Sequence, residues 1–337
     1  MGNIYQELTG PNAGITPANL NETGIPTGLM TFLPGYEIST YDGETTGGTL
    51  TISAGEITSG ITLSNATVPY QYMHVYGTAI DTTMRPGGEL IIRSGGFASG
   101  TIMNSGASGL DAYSYQKVRD GGVVSSTYIY YKGSQLISGG TAIYTIIYSG
   151  GYQSILSGGV AHSTTVNLNG RQEINFGGMA SGALVVGTQS ILSGGVASST
   201  RLFGGVQFIS NGGIVRNTDI DYLGTQHVSS GGVASATILI SGFQMIFSGG
   251  IASDATVYSA GHQWISSGGL AVNSVISGIQ TLAGGSARNT TVGVNGRQSV
   301  SRSIVNDTII SGGEQDIYSG GDRPCNIYLL RGAAGGS

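Results

Sequence analysis

The sequence predicts an all-β fold, a right-handed parallel β-helix (β-solenoid) with coils of about 18–19 residues and an N-terminal cap. The first observation is a motif, Gly-x-Gln-x-(Ile/Val/Leu), which occurs eleven times between Tyr131 and Ile317. The second is its spacing, because successive glutamines of the motif lie only 17 to 19 residues apart. The third is a pair of aliphatic columns with the same period. A short period over many copies is typical of stacked coils, not of a conventional globular domain.

Each copy of the repeat is predicted to hold short strands separated by glycine turns. A glycine pair is followed two residues later by a small apolar residue, usually Ala, and three residues further on usually by Thr, as in Gly232, Ala234 and Thr237. The position two residues after the Thr is always aliphatic: Ile129, Ile147, Val166, Val185, Leu202, Ile220, Leu239, Val257, Ile276, Val292 and Ile310. Aliphatic residues flanked by variable ones have the period of two that characterises strands with one buried face.

The glutamines of the motif are expected to be structural. They are Gln135, Gln153, Gln172, Gln189, Gln207, Gln226, Gln244, Gln263, Gln280, Gln298 and Gln315. Two residues after each is the second aliphatic column: Ile137, Ile155, Ile174, Ile191, Ile209, Val228, Ile246, Ile265, Leu282, Val300 and Ile317. Because the two columns share strand parity, the glutamines should face inward or lie at a corner, where stacked amides can hydrogen-bond from coil to coil.

The chain is predicted to divide into a cap at residues 1–46, degenerate coils with loop insertions at 47–120, regular coils at 121–330 and a tail at 331–337. Four of the seven prolines fall in the cap, which would cover the open strand edges of the terminal coil. Within the degenerate region, Thr62–Met84 and Met103–Asp120 are interpreted as loops or irregular coils.

Composition excludes several classes of function. The net charge is −5, only 13 residues are Lys or Arg, and no basic run occurs, so nucleic-acid binding is not expected. No apolar stretch approaches the ~20 residues of a membrane helix, so membrane insertion of this segment is not expected. The opening residues show no secretory signal. The single cysteine, Cys325, is most simply an inert thiol.

A contiguous apolar surface is predicted on the outward side of the glutamine-bearing strands. Residues beside each glutamine must point away from it, and over four consecutive coils several are apolar or aromatic. The predicted binding surface is Val206, Phe208, His227, Phe243, Met245, Phe247 and Trp264. Exposed patches of this kind mark contact sites, and Trp264 is suited to stacking on a sugar ring or to anchoring a protein. The alternative is that a loop or cap covers these residues, or that register drift turns them inward.

A second outward column is also unusually apolar for a solvent-facing surface. It comprises Tyr130, Tyr148, Phe203, Ile240 and Tyr258. Such a column is consistent with lateral association of one solenoid with another.

The sequence predicts no catalytic residues, no metal site and no cofactor. The best catalytic candidate is the pair Asp219 and Asp221, which strand alternation places on one outward face, with Arg201 one coil earlier. The simpler interpretation is a solvated pair, because no further acid, base or nucleophile joins it. His227 and His262 share their columns with no carboxylate or thiolate at ligand spacing.

The combined pattern Ser-Gly-Gly-x-Ala-x-x-Thr-x-Φ-x-x-Gly-x-Gln-x-Ile, where Φ is aliphatic, resembles the repeat of AIDA-type self-associating autotransporter adhesins over residues 86–325. The resemblance implies an exported bacterial passenger that promotes adhesion, aggregation and biofilm formation. It also implies O-linked heptose added to repeat Ser or Thr residues by a bacterial heptosyltransferase.

The resemblance makes the serines before the glycine pairs candidate glycan acceptors. They are Ser138, Ser157, Ser193, Ser230, Ser248 and Ser267. The alternative role of each is turn formation, which Ser favours in any case.

The predicted function is therefore that of a non-catalytic surface adhesin or self-association module, located outside the cell at the bacterial surface. Its expected partners are other copies of itself and glycans or proteins of host or bacterial surfaces. The alternative is a carbohydrate-binding or carbohydrate-cleaving β-helix of the tail-spike or polysaccharide-lyase type, which would show a groove lined by carboxylates and aromatic residues.

Overall fold

A computed structural model describes residues 39–40, 48–63, 71–103, 112–210, 212–229, 231–318 and 327–329. These residues form strands and turns without a helix, arranged as a parallel β-solenoid of about 14 turns at a spacing of about 18 residues. The predicted parallel β-helix is thereby confirmed. Residue contacts divide the chain into two units, Met1–Ser181 and Gly182–Ser337, and each is described by itself below.

A typical coil contributes three short strands, named here by the residue that recurs in each. The Gln strand contains the motif glutamine in the regular coils, the Ala strand follows the glycine pair, and the Thr strand ends on the first aliphatic column. The first four strands of the same sheet are also called Gln strands, although they lack the motif. The Gln strands of each unit pair with one another in one parallel sheet, and the Ala and Thr strands pair in a second.

In the first unit the strands follow one another along the chain in the order Gln, Ala and Thr. The Gln strands are Gly48–Ile52, Gln71–Val75, Gly88–Ile92, Ser114–Val118, Gly133–Ile137, Tyr152–Ile155 and Arg171–Ile174. The Ala strands are Ile57–Ser59, Thr78–Ile80, Phe97–Ser99, Val123–Ser125, Thr141–Ile143, Val160–His162 and Met179–Ser181. The Thr strands are Thr62–Leu63, Thr83–Met84, Ile102–Met103, Tyr128–Ile129, Ile146–Ile147 and Thr165–Val166. A further strand, Ser39–Thr40, pairs with Ile57–Ser59.

In the second unit, two coils merge their Ala and Thr strands into the longer strands Val196–Phe203 and Ile214–Asp221. The Gln strands are Thr188–Ile191, Val206–Ile209, Thr225–Val228, Phe243–Ile246, His262–Ser266, Ile279–Ala283, Arg297–Ser301 and Glu314–Ile317. The separate Ala strands are Val233–Ser235, Ile251–Ser253, Leu270–Val272, Ser286–Arg288 and Ile304–Asn306. The separate Thr strands are Leu184–Val185, Ile238–Leu239, Thr256–Val257, Val275–Ile276, Thr291–Val292 and Thr308–Ile310, the last of which pairs with Ile327–Leu329.

The aliphatic columns form the core, as the period of two predicts. Ile155 and Ile174 pair directly in the first unit and are 0% exposed, and so are Val228 and Ile246 in the second. The last described coil differs, since Ile310 is half-buried and Ile317 is 38% exposed. Glu314–Ile317 has a paired neighbour on one side only among the described strands, which leaves Ile317 without a covering coil.

The inward position of the glutamines is confirmed, and their amides form a hydrogen-bonded ladder within each unit. In the second unit the Gln207 Nε2 donates to the Gln189 Oε1 at 2.6 Å, and the Gln226 Nε2 donates to the Gln207 Oε1 at 2.7 Å. The hydroxyl of Thr237 also donates to the Gln226 Oε1, at 3.2 Å. The ladder satisfies polar groups that would otherwise be buried without partners.

Two stretches of residues 47–120 that were expected to be loops or irregular coils contain regular strands. Gln71–Val75 and Ser114–Val118 are regular Gln strands paired in register with Gly88–Ile92, although both fall in stretches interpreted as loops or irregular coils. Gln116 is buried in the amide ladder and accepts from the Gln135 Nε2 at 2.6 Å. The motif does not include Gln116, because Ser114 stands two residues before it, at the position where the motif has Gly.

Close packing of one coil on the next explains the second glycine of each pair. A Cβ on Gly159 would lie 2.5 Å from the carbonyl oxygen of Ile137 in the neighbouring coil. Gly158 has a φ of +72°, a left-handed backbone conformation that residues with a Cβ rarely adopt. The two glycines are therefore required for different reasons.

Several predictions fall on residues outside the described part of the chain. The predicted cap at 1–46 lies outside it except for Ser39–Thr40, and so do Cys325, Ser230 and the tail at 331–337. None of the described segments is a helix with the length and hydropathy that a bilayer crossing requires.

Candidate functional site: the outward face of the Gln strands

The predicted apolar residues come together on one face of the second unit, here called the aromatic patch. It consists of Val206, Phe208, His227, Phe243, Met245, Phe247 and Trp264, with His262 as an additional member. One row of paired positions runs Phe208, His227, Met245 and Trp264 over consecutive coils. The strands place these side chains opposite the buried glutamines, as alternation requires.

Ring contacts link the patch across coils. The ring centroids of Phe208 and His227 are 4.9 Å apart, and those of His227 and Phe247 are 5.5 Å apart and nearly parallel at 14°. His262 lies between Phe243 and Trp264, with a centroid distance of 6.0 Å to each ring. These distances are within the range of favourable aromatic pairs.

The patch is accessible in part. Phe208 is 41% exposed and Trp264 is 40% exposed, whereas the other members are half-buried against their neighbours. The alternative of register drift is thus wrong for these residues, because they point outward in regular pairing.

Burial lowers the pKa of both His227 and His262 below the ordinary value. The cause is desolvation, since the neighbouring side chains are mainly aromatic or aliphatic. The Nε2 of His262 lies 3.0 Å from the Thr281 hydroxyl. Both imidazoles are therefore neutral at neutral pH and behave as part of an uncharged surface.

The acidic pair singled out from the sequence is held by local polar contacts. Arg201 is paired with Asp219 in strand register, but its guanidinium contacts the Asp221 carboxylate at 3.4 Å. Asp221 also accepts from the Ser241 hydroxyl at 2.8 Å, and this bond leads the interactions that lower the pKa of Asp221. The arrangement is typical of a solvated ion pair on a sheet face.

The candidate glycan acceptors lie at turns, with different accessibility. Ser157, Ser193, Ser248 and Ser267 are exposed, whereas Ser138 is half-buried.

The second outward column, as predicted, points away from the core. In the first unit the rings of Tyr130 and Tyr148 stack at 4.4 Å with an interplanar angle of 2°. Burial also raises the pKa of Tyr148. In the second unit Phe203, Ile240 and Tyr258 are exposed, but Asp221 interrupts the column between the first two.

A further apolar surface, here called the aliphatic stripe, was not singled out from the sequence. The residue after each glycine pair points outward from the Ala strand, and five consecutive coils of the second unit carry an aliphatic residue there. They are Val196, Ile214, Val233, Ile251 and Leu270, paired one on the next. Ile251 is 40% exposed and the others are half-buried. The stripe could have been found in the sequence from the aliphatic residues at the third position of Gly-Gly-x-Ala.

Among the described residues no group of three or more His, Cys, Asp or Glu side chains could hold a metal ion.

Comparison with known proteins places the chain in a family. A scan of family models and a search of curated proteins find no match. Among solved structures, a TibA fragment with TibC-catalysed hyper-glycosylation matches with a TM-score of 0.60 and 34% identity, over 82% of this chain and 98% of that chain. The chain belongs to the AIDA-type repeat passengers of autotransporter adhesins. The predicted repeat family is confirmed.

A second solved structure, the Dettilon tailspike protein gp208, covers 87% of this chain and 61% of that chain at 14% identity. Its TM-score is 0.25, so it carries no argument about function or fold.

Proposed function

We propose that the protein is a non-catalytic bacterial surface adhesin that associates with other copies of itself and with glycans or proteins of neighbouring surfaces. The observation that carries this proposal is the match to the TibA fragment over most of both chains. Membership of this family of autotransporter passengers implies that the protein is located at the cell surface.

The aromatic patch supplies a contact surface for this role. It combines two substantially exposed rings, Phe208 and Trp264, with neutral histidines, and a regular sheet holds all of them in place. Apolar and aromatic area that is rigidly presented to solvent favours association at a low entropic cost. Weak contacts on many copies add up through avidity.

The patch is tested with the triple variant Phe208→Ser, Met245→Ser and Trp264→Ser. We expect an unchanged far-ultraviolet circular dichroism spectrum, because the substitutions lie outside the core. We also expect reduced self-association in light scattering and reduced aggregation of cells that display the protein.

The matched control is Tyr222→Ser, Leu223→Ser and Val294→Ser, which removes exposed apolar side chains from turns outside the patch. Equal loss of association in both triples, or no loss in the patch triple, contradicts the role of the patch. A third triple in the aliphatic stripe, Val233→Ser, Ile251→Ser and Leu270→Ser, identifies that face as the contact surface if it alone reduces association.

We propose in addition that a bacterial heptosyltransferase modifies the exposed turn serines. Support comes from the TibA fragment, which is described as hyper-glycosylated by TibC, and from the exposure of Ser157, Ser193, Ser248 and Ser267. Intact-mass measurement after co-expression with a heptosyltransferase should show added heptose units. Replacing the four serines with Ala should remove units, whereas Ser138→Ala, at the half-buried position, should not. An unchanged mass of the wild-type chain rejects the proposal.

A further inference from the structure

Basic side chains that are widely separated in the sequence come together on the outward face of the Gln strands in the first unit. Arg93 follows Gly88–Ile92 and Arg119 follows Ser114–Val118, and these two strands pair with Ile92 opposite Val118. The two arginines therefore leave adjacent strands that are about 4.8 Å apart. In the neighbouring outward row, His74 and Lys117 lie on either side of Ile91. We name His74, Arg93, Lys117 and Arg119 the basic cluster.

The cluster holds more positive charge than its neighbours neutralise. Lys117 pairs with Glu89 at 2.6 Å. In the described part of the chain, the Arg119 side chain forms no hydrogen bond or ion pair. The Nε of Arg93 is buried and has no hydrogen-bond partner. A buried cationic donor without an acceptor is unfavourable, so the charge of Arg93 is only partly satisfied by the protein, and an anion could contact the rest of its guanidinium.

His74 holds the Arg93 guanidinium in position. Its Nδ1 lies 3.4 Å from the Arg93 Nη2. Burial, together with the nearby charge of Arg93, lowers the pKa of His74 below the ordinary value. The imidazole is then neutral and able to accept this hydrogen bond, which limits the freedom of the arginine side chain.

Tyrosine rings border the cluster. Tyr76 precedes Arg93 in the same outward row and is 41% exposed, and Tyr113 is 50% exposed. The Tyr113 and Tyr115 rings lie 6.1 Å apart, and the Lys117 Nζ lies 5.8 Å from the Tyr115 ring centroid. Rings with a polar hydroxyl suit ligands that combine apolar faces with polar edges, which is the chemistry of sugar rings.

We propose that the basic cluster binds an acidic glycan, a polysaccharide that carries sulfate or carboxylate groups. Arg93 and Arg119 would bind the anionic group with their planar guanidinium donors, and the neighbouring tyrosines would pack against the sugar rings. Nucleic acid is disfavoured, because its binding depends on Lys and Arg side chains that neutralise successive phosphates, and the cluster offers only Arg93, Lys117 and Arg119. The chain also has a net charge of −5. This site lies in the first unit and is independent of the aromatic patch.

The test measures binding of dextran sulfate and of polygalacturonate by isothermal titration calorimetry on the full chain. Unsulfated dextran of the same length and single-stranded DNA of matched charge serve as comparison probes. We expect binding to one or both acidic glycans and none to unsulfated dextran. The double variant Arg93→Gln with Arg119→Gln should weaken binding of the acidic glycan about tenfold or more, since the anion loses both guanidinium partners.

The matched control is Arg171→Gln with Arg216→Gln, which removes the same charge elsewhere on exposed strand positions. It should change the affinity less than about twofold if binding is local. Arg119→Glu, at a side chain without polar partners among the described residues, keeps the test valid if the Arg93 variant fails to fold, and it should abolish binding. The proposal is overturned if the control variant weakens binding equally or if unsulfated dextran binds equally well. It is also overturned if no glycan binds at all, or if DNA binds more tightly than dextran sulfate.

Discussion

At the residue scale, the glutamine column shows how a polar side chain is accommodated in an apolar core. Gln226 is 0% exposed, yet its amide donates to Gln207 at 2.7 Å and accepts from Gln244 at 2.7 Å and from Thr237 at 3.2 Å. Each coil thus needs its neighbour to satisfy its own amide. The consequence is specificity of register, because a shifted coil would leave several polar groups unpaired.

Replacing Gln226 with Leu should be costly even though Leu is apolar and of similar size. The Gln207 carbonyl, the Gln244 amide and the Thr237 hydroxyl each lose a partner, so we expect a loss of about 2 kcal/mol or more in the free energy of unfolding. Urea unfolding followed by circular dichroism measures it. Thr225→Val, on the outward side of the same strand, should stay within about 0.5 kcal/mol. Equal midpoints for the two variants would show that the ladder contributes little.

The histidines of the aromatic patch should make stability depend on pH. Burial lowers the pKa of His227 and His262 in the folded state, so the unfolded chain binds protons first as the pH falls. Their contribution is fully present above the unfolded value of about 6.5 and is lost as the pH falls towards the folded pKa. We expect the unfolding midpoint to decrease between about pH 7.5 and pH 5.

The matched variant for this prediction is His227→Asn with His262→Asn, in which the decrease should be smaller. Nuclear magnetic resonance titration of the two imidazoles measures each pKa directly. A pKa at or above the ordinary histidine value for both rings is incompatible with the prediction.

At the scale of the element, the turn between Gln and Ala strands is set by two glycines with separate functions. Gly231 has a φ of +79°, but a Cβ there would meet only the Gly212 nitrogen, at 3.8 Å. At Gly232 a Cβ would lie 2.4 Å from the Ile209 carbonyl oxygen of the preceding coil. The first glycine serves the turn itself, and the second permits the close approach of coils.

This difference predicts unequal effects of alanine at the two positions. Gly231→Ala should cost about 1–2 kcal/mol, the strain of a left-handed residue. Gly232→Ala should cost more, because the backbone of one coil must move away from the next. Thermal unfolding of the two variants compares them. A lower melting temperature for Gly231→Ala than for Gly232→Ala would contradict the packing argument.

At the scale of the whole molecule, the repeat makes a coil interchangeable within its unit. Deleting residues 233–250 joins Gly232 to Ile251 and restores a Gly-Gly-x-Ala sequence. The shortened chain should fold, because each coil contacts mainly its neighbours and like positions again pair. Circular dichroism and size-exclusion chromatography test this.

Deleting residues 233–241 provides the control for that prediction. It removes half a coil, joins Gly232 to Gly242 and places a Gln strand where an Ala strand belongs. We expect aggregation or loss of structure, since inward and outward positions no longer match. Equal folding of the two deletions would argue against coil-by-coil stacking.

The sequence by itself determined the coil and its core. The positions of Gln153, Ile155 and Gly159 recur every 17 to 19 residues, and strand alternation decides that Gln153 and Ile155 face inward. The outward position of Phe208 and Trp264 followed from the same rule. These features were predictable because they depend on local periodicity.

Only the tertiary structure decided which side chains of unequal coils become neighbours. Arg93 and Arg119 meet because Gly88–Ile92 pairs with Ser114–Val118, across a coil longer than the regular period. The sequence contains no basic run there, and the motif does not mark Gln116 as part of the repeat. The physical reason is that register between strands is set by burial and hydrogen bonding across the stack, which a linear period does not specify once coils differ in length.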